Sequence, residues 1–374
     1  MWRELWLYAT GEGVGAAREL DRLCEDRLPY QWLCGGVSLN YHTLADFRVN
    51  HGEYLDELLT ESVAAMMKEG LIELKRVAQD GMKVRAWAGA SSFRREATLL
   101  RCLEEAKAQV EALKNEVDED GSASTRRRKA ARQRAAKERQ ERVEQALVER
   151  AKLAELRERQ KKEKGKKYEP EQLRTSTTDA ENRMMKMADG GTRPGYNMQF
   201  ATITNGGVIA GVDVTNSGGD GGQMLPMVVQ VHERYDRTPD EYLVDGGYVS
   251  KADIEQAKEK YGVVVYAPLK NEKKQKEAGL DPYQPKRNDA LAIAQWRERM
   301  GTDYAKKIYK ERASTAEWVH AGMRNSGLYQ VLVRGLYKVK CIALWYALAH
   351  NLWRYYALKQ AQATASPKTT TERT

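Results

Sequence analysis

The chain has 374 residues, 31% of them charged, with 62 Lys and Arg against 53 Asp and Glu and a net charge of +9. That length allows two or three domains and at least one sizeable core, and the positive excess asks for an anionic partner, either nucleic acid or a membrane surface. Met1-Trp-Arg-Glu-Leu-Trp6 lacks the basic-then-apolar order of a signal peptide, and the most apolar stretch, Cys341 to Ala349, is far short of a membrane span. Nucleic acid is therefore the favoured partner. Cys24, Cys34, Cys102 and Cys341 are scattered without metal-ligand spacing and read as buried or incidental thiols in a reducing cytoplasm. The five histidines are equally dispersed and read as packing residues.

Residues 1–72 read as a small helical domain. Val14 to Glu25 and Gly52 to Glu69 carry apolar residues at helical spacing, among them Leu55, Leu58, Leu59, Val63, Met66 and Met67. Ser38 to Asn50 opens with capping residues and continues as a short helix. Two short helices about a Gly-Gly turn suggest a helix-turn-helix-like DNA contact; the bland alternative is a helical support.

From Glu73 to Ala86 the pattern changes to strand, with Val77 and Val84 flanking Asp80, and a core begins over 73–93. A highly charged insertion interrupts it at 94–170. Its first half repeats Leu99, Leu103, Ala106, Val110, Leu113 and Val117 in alternating steps of four and three, a heptad seam. Asp118 to Ser124 breaks the seam and a second helical run follows to about Lys164, so an antiparallel helical hairpin is expected. Between Arg126 and Lys167 stand 18 Lys/Arg and 7 Glu, a net +11, against +9 for the whole chain. Pairs such as Glu138/Arg142 and Glu155/Arg159 cannot absorb that excess. A salt-sensitive contact with phosphates fits it better, through Arg126, Arg127, Arg128, Lys129, Arg132 and Arg134.

The core resumes over 171–362. Tyr196 to Thr204 reads as a strand, Asn205-Gly-Gly as a hairpin turn and Val208 to Thr215 as the returning strand. A helix over Gly222 to Arg234, a strand over Glu241 to Asp245, a helix over Ser250 to Tyr261 and a buried strand over Gly262 to Pro268 follow. A long helix over Leu328 to Lys359 packs on the core, and 363–374 read as a polar, disordered tail. The order predicts an α/β mixed sheet with helices on both faces.

Three acidic residues carry the chemistry. Asp80 ends Leu74-Lys-Arg-Val-Ala-Gln-Asp80, Asp245 ends Glu241-Tyr-Leu-Val-Asp245, and Glu317 lies in a helical stretch with Tyr309, Arg312 and Arg324. Carboxylates at the C-terminal ends of core strands point at the edge where α/β sheets bind ligands, although Asp-Gly by itself commonly marks only a turn. Glu317 alone is a surface glutamate. Arg324, seven residues on, shares its face. The Gly-rich Asn216 to Gln223 lacks the spacing and Lys of a nucleotide loop. Asp220 within it reads as the cap of the next helix, with a place near a metal as the alternative.

These contexts, together with Trp6-Leu-Tyr-Ala-Thr-Gly-Glu-Gly, Trp32-Leu-Cys-Gly-Gly, His42-Thr-Leu-Ala-Asp-Phe-Arg48, Asp80-Gly-Met-Lys-Val-Arg and Asp213-Val-Thr-Asn-Ser-Gly-Gly-Asp-Gly-Gly-Gln223, resemble the bacterial insertion-sequence transposases of the DDE type. So does the helix signature Tyr-x-x-Arg…Glu-x6-Lys/Arg, with four residues between Arg312 and Glu317 where three are usual. The resemblance implies a ribonuclease-H-like catalytic core in which Asp80, Asp245 and Glu317 hold two Mg²⁺ ions, or Mn²⁺ in their place. DNA strand cleavage at transposon ends and strand transfer into target DNA would follow, without ATP. It implies double-stranded DNA as partner, contacted by Tyr309, Arg312, Arg324, Lys83 and Arg85 as well as the basic arm. A homodimer in a synaptic complex and a bacterial, nucleoid-associated location are further implications. Family members carry a further helical segment before the Trp-Leu-Tyr-Ala-Thr-Gly stretch. A truncated N-terminal domain is therefore expected, with Trp2, Leu5 and Trp6 short of partner surface. The competing reading is a DNA-binding relic, or a domesticated DNA-binding protein, with the same core.

Overall fold

The computed structural model describes residues 1–116, 123–165 and 169–365. In chain order the described elements are α1 (Trp2–Gly11), α2 (Ala17–Asp26), α3 (Leu28–Cys34), α4 (Tyr41–Asn50), α5 (Gly52–Lys68), β1 (Arg76–Arg85), β2 (Phe93–Arg94), α6 (Glu96–Asn115), α7 (Ala123–Lys164), β3 (Thr175–Ser176) and β4 (Arg183–Lys186). Then come β5 (Thr192–Ile203), β6 (Val208–Thr215), α8 (Met224–Tyr235), β7 (Glu241–Leu243), α9 (Lys251–Tyr261), β8 (Val264–Tyr266), α10 (Glu272–Glu277), α11 (Leu291–Gly301), α12 (Asp303–Asn325) and α13 (Leu336–Ala365). They form two compact units. Among the described residues, the first comprises those of 1–84, 197–329 and 337–365, the second those of 85–196 and 330–336.

In the first unit the N-terminal helices share a core with α13. Trp6 is fully buried, donates its indole N–H to the Leu44 carbonyl and lies under the Arg48 guanidinium, 4.5 Å from its ring. Trp345 of α13 donates to the Arg48 carbonyl, and burial pushes the Arg48 pKa down to about 10. Leu5 is likewise fully buried and Trp2 packs edge-on against Phe47, so the expected bare apolar patch at Trp2, Leu5 and Trp6 is not found. The most exposed aromatic of these helices is Trp32, 83% accessible. The Gly-Gly turn is real: Gly35 and Gly36 both take positive φ, and of the capping residues that open the next segment it is Asn40 that caps α4, accepting from the His42 N–H.

The sheet of this unit runs β6-β5-β1-β7-β8. β5 and β6 form an antiparallel hairpin closed through Asn205-Gly206-Gly207, as the turn residues predict, with a register shift between Ala201 and Thr202. β1 pairs in parallel with β7, and β7 with β8. Three strands of a meander followed by two parallel ones, with helices in the crossovers, is the ribonuclease-H-like mixed α/β fold. Residues 197–203 of β5 are buried without alternation, which requires cover on both faces. The free edge of β6 is protected by two amides. Asn351 of α13 bonds both the N–H and the carbonyl of Ile209, and Gln230 of α8 does the same at Val212.

Local signals place the crossovers. Ser250 and Asp253 form a capping box at the start of α9, which ends on Gly262 in the left-handed region. Thr302 caps α12 by accepting from the Ala305 N–H. The expected helix over 328–359 starts later, at Leu336, and runs to Ala365, into the segment expected as tail; residues 366–374 lie outside the described ones.

The second unit is built around α6 and α7. They run antiparallel: Gln133 donates to the Leu113 carbonyl, Arg139 to Gln109, and Arg150 pairs with Glu96. The seam holds, with Leu99, Ala106 and Leu113 buried; Val117 and the predicted break up to Gly121 and Ser122 lie outside the described residues. At the hairpin's base β2 and β3 form a short antiparallel ribbon, and Leu99 packs with Ala146 and Ala180. Glu149, 9% exposed at its side chain, is held by Arg183 and Lys152. β4 pairs with residues 192–195 of β5.

Candidate active site

β1 positions the first aspartate. Its parallel ladder with β7 stops at Ala78 opposite Leu243, while the strand itself continues to Arg85. Asp80 therefore lies in the middle of β1 rather than at its end, contrary to the sequence reading. It lies just past the last parallel pair. Asp245 lies two residues beyond the last residue of β7, exposed, with its carboxylate accepting from the Gly246 N–H at 2.6 Å. The two aspartates thus mark the same level on neighbouring strands.

Asp80 is half-buried. Its Oδ1 accepts from the Gly81 N–H at 3.0 Å and pairs with Arg312 of α12 at 2.9 Å. Burial nevertheless raises its pKa, opposed by Arg312 and Gly81 and reinforced by the charges of Asp220 and Asp245. The desolvated, crowded anion is the costly form. Tyr309, one turn before Arg312, feels Arg312, Asp245 and Asp80, and burial chiefly raises its pKa.

On the other side of β1 a buried amide network fixes the strands. Gln79 donates to Gln199 and to the Gln223 carbonyl, and accepts from the Tyr242 hydroxyl. Gln199 also accepts from Tyr248 at 2.8 Å. Asn197 and Gln199 both donate to the Asp220 carboxylate, at 2.7 and 3.0 Å. Asp220 is therefore not a helix cap: α8 begins at Met224 after Gln223, without a side-chain cap. Two strand amides have claimed its carboxylate, and that pairing across 21 and 23 residues is what local spacing could not show. Gly81 is required here. A Cβ on it would lie 2.5–2.6 Å from Gln199, Asn197 and Asp220.

α12 brings Arg312 onto Asp80 and sets Tyr309 within the field of Asp80 and Asp245. Five residues past Arg312 is about 140° around a helix, and Glu317 is exposed, whereas Thr315, Ala316, Val319, His320 and Met323 are buried. Arg324 is partly exposed on the last turn, and with Arg312 it adds to the burial that takes the pKa of His320 down to about 4. Lys83 is partly exposed and Arg85 exposed on β1, Arg85 donating to Gln330. Arg126, Arg127, Arg128, Lys129, Arg132 and Arg134 all lie on α7; Arg132 pairs with Glu116. Lys166 and Lys167 of the basic run lie outside the described residues.

The donor chemistry suits a hard divalent cation: carboxylate oxygens whose mutual repulsion at Asp80 a cation would relieve, beside the buried Asn197 Oδ1, which has no hydrogen-bond partner. Among the described residues no three His, Cys, Asp or Glu groups are arranged to hold one ion. Nor is any described helix long and apolar enough to cross a membrane.

No curated protein and no solved structure matches the chain. Residues 272–356, from α10 into α13, match the model of the family described as Transposase DDE domain. Asp80 and Asp245 precede the matched segment; Tyr309, Arg312, Glu317 and Arg324 lie inside it. With the ribonuclease-H-like sheet and its paired aspartates already in place, this match supports a DDE-type transposase.

Proposed function

We propose that the protein is a DNA transposase that cuts DNA at the ends of its element and joins the freed 3′ end to target DNA, with metal held by Asp80, Asp245 and Glu317. The observation carrying this reading is the pair of aspartates at one level of neighbouring parallel strands, with the pKa of Asp80 raised by burial and, after it, by the charges of Asp220 and Asp245. Bound Mg²⁺, or Mn²⁺, would supply Lewis acidity toward water and the 3′-hydroxyl and neutralise charge at the phosphodiester. The chain's own part is placement. Gln79 and its partners hold β1 against β5 and β7, and Arg312, paired with Asp80, would offer its guanidinium to a phosphate at the aspartates; Tyr309 and Arg324 would extend that surface. Lys83, Arg85 and the α7 cations would hold the DNA backbone, within a homodimeric synaptic complex in the bacterial nucleoid.

One observation favours the second reading, a DNA-binding protein without strand chemistry: Glu317 is exposed, and among the described residues no three acidic groups are arranged to hold one ion. A cleavage assay on DNA carrying the flanking terminal repeats separates the two. Mg²⁺-dependent nicking, abolished by chelation, is expected. Duplex binding without nicking would establish the second reading instead.

A further inference from the structure

Four arginines from two segments more than 70 residues apart meet in the second unit. The β2–β3 ribbon sets Arg94 opposite Thr175, and Arg94, Arg95, Arg101 and Arg174 line one open groove of about 410 Å³. Its single carboxylate is Glu105, which Arg101 shares with Arg139 of α7, at 3.8 and 3.7 Å. Arg95 is steadied by the Gln172 amide at 2.8 Å, and among the described residues neither Arg94 nor Arg174 has a carboxylate partner. The groove also lies at the start of α6, whose N-cap, Arg95, offers no side-chain acceptor to the first-turn N–H groups. The first-turn carboxylate at that helix end, Glu96, is itself paired with Arg150.

Like charges gathered around a concave surface, with too few anions to balance them, are a site for a polyanion. Guanidinium forks match phosphate oxygens in particular. We propose that this groove binds the phosphate backbone of duplex DNA, as a contact separate from the basic face of α7. The proposal rests on the DNA-acting function above. It adds residues that no charge run in the sequence reveals, since the intervening α6 is nearly neutral.

The groove carries its own reporter. Cys102 lines it and is partly exposed, whereas Cys24, Cys34 and Cys341 are buried. In the full chain, duplex DNA should slow alkylation of Cys102 several-fold, and high salt should restore the rate. Separately, the combined Arg94→Gln, Arg95→Gln, Arg101→Gln and Arg174→Gln variant should bind duplex about tenfold or more weakly at low salt. The slope of log affinity against log salt should fall by about 0.9 for each phosphate released. An alkylation rate indifferent to DNA, or an unchanged slope in the variant, overturns this site and leaves DNA binding to α7. Should the variant fail to fold, the Cys102 rate in the unaltered protein still decides. Absence of duplex binding by the unaltered protein would overturn the functional reading as well.

Discussion

The aspartate cluster and the α7 face are opposite solutions to handling charge. At Asp80 a carboxylate is half-buried beside two like charges, and an interlocked set of amides and one arginine holds the strands around it. On α7 most of the described cations are exposed, with carboxylate partners on α7 itself or across the hairpin, and Arg150 near the hairpin's base is the buried exception. The first arrangement stores electrostatic cost in a fixed geometry, as a site for chemistry does. The second keeps its charge free for exchange with counterions, as a backbone contact does. A half-buried charge should respond to single changes and to pH, an exposed run to salt and to changes made in number.

The largest contrast is expected at Asp80. Asp80→Asn should reduce metal-dependent cleavage by more than about 100-fold, beyond what loss of an outer-shell partner of a metal ligand costs. In metal-free protein it should leave the melting temperature unchanged or raised. The sign follows from the raised pKa: a carboxylate shifted up contributes stability that is present below its unfolded pKa and lost as pH rises through the folded one. Cleavage kinetics and calorimetry on the same variant check both halves. A large loss of stability would show the ionised group to be a net structural asset.

Next in size is the arm. Replacing Arg126, Arg127, Arg128, Lys129, Arg132 and Arg134 together by Gln should weaken duplex binding without sequence preference and lower the salt slope by about 0.9 per phosphate lost. The melting temperature should hardly move. Anisotropy titrations at several salt concentrations measure it, and an unchanged slope would remove α7 from the interface.

His320 sharpens the buried side of the comparison. Burial, with Arg324 and Arg312 nearby, takes its pKa down to about 4 from an ordinary 6.5. Stability is then full above the unfolded value and lost as pH falls from 6.5 toward 4, by on the order of 3 kcal/mol. His350, also lowered by burial, adds in the same direction. His320→Gln should flatten the fall in denaturation midpoint across that window; an equally steep fall would assign it elsewhere. The smallest effect is expected for Gly81→Ala, whose Cβ must displace amide side chains at a cost of about 1–3 kcal/mol in chemical denaturation.

Local order was legible from residues alone because its causes are local. Turn chemistry marked Asn205-Gly206-Gly207 and the returning strand β6, Val77 and Val84 about Asp80 marked β1, and the four-three spacing from Leu99 to Leu113 marked a helix with one buried seam. The alternation of strands and helices then left few sheets for the chain to choose from, and the observed mixed sheet is the one expected. Net charge by segment separated the basic arm from a core near neutrality. Each of these depends on neighbours within a few residues or on simple sums.

The site is legible only in part, because it depends on which distant groups compete for the same atoms. Asp220 has the look of a cap in sequence; in the fold Asn197 and Gln199 take its carboxylate first. Asp80 reads as a strand end because its Gly follows, yet pairing with β5 extends the strand past it. Glu317 and Arg312 share one helix, and only the rotation of α12 against β1 decided that Arg312 meets Asp80. The arginine groove needed the β2–β3 ribbon to bring residues 94–101 and 174 together. Sequence by itself determined the elements and where charge resides, since both follow from local pattern. Tertiary structure alone decided which charges face one another, since electrostatics acts through space and the chain's spacing does not record it.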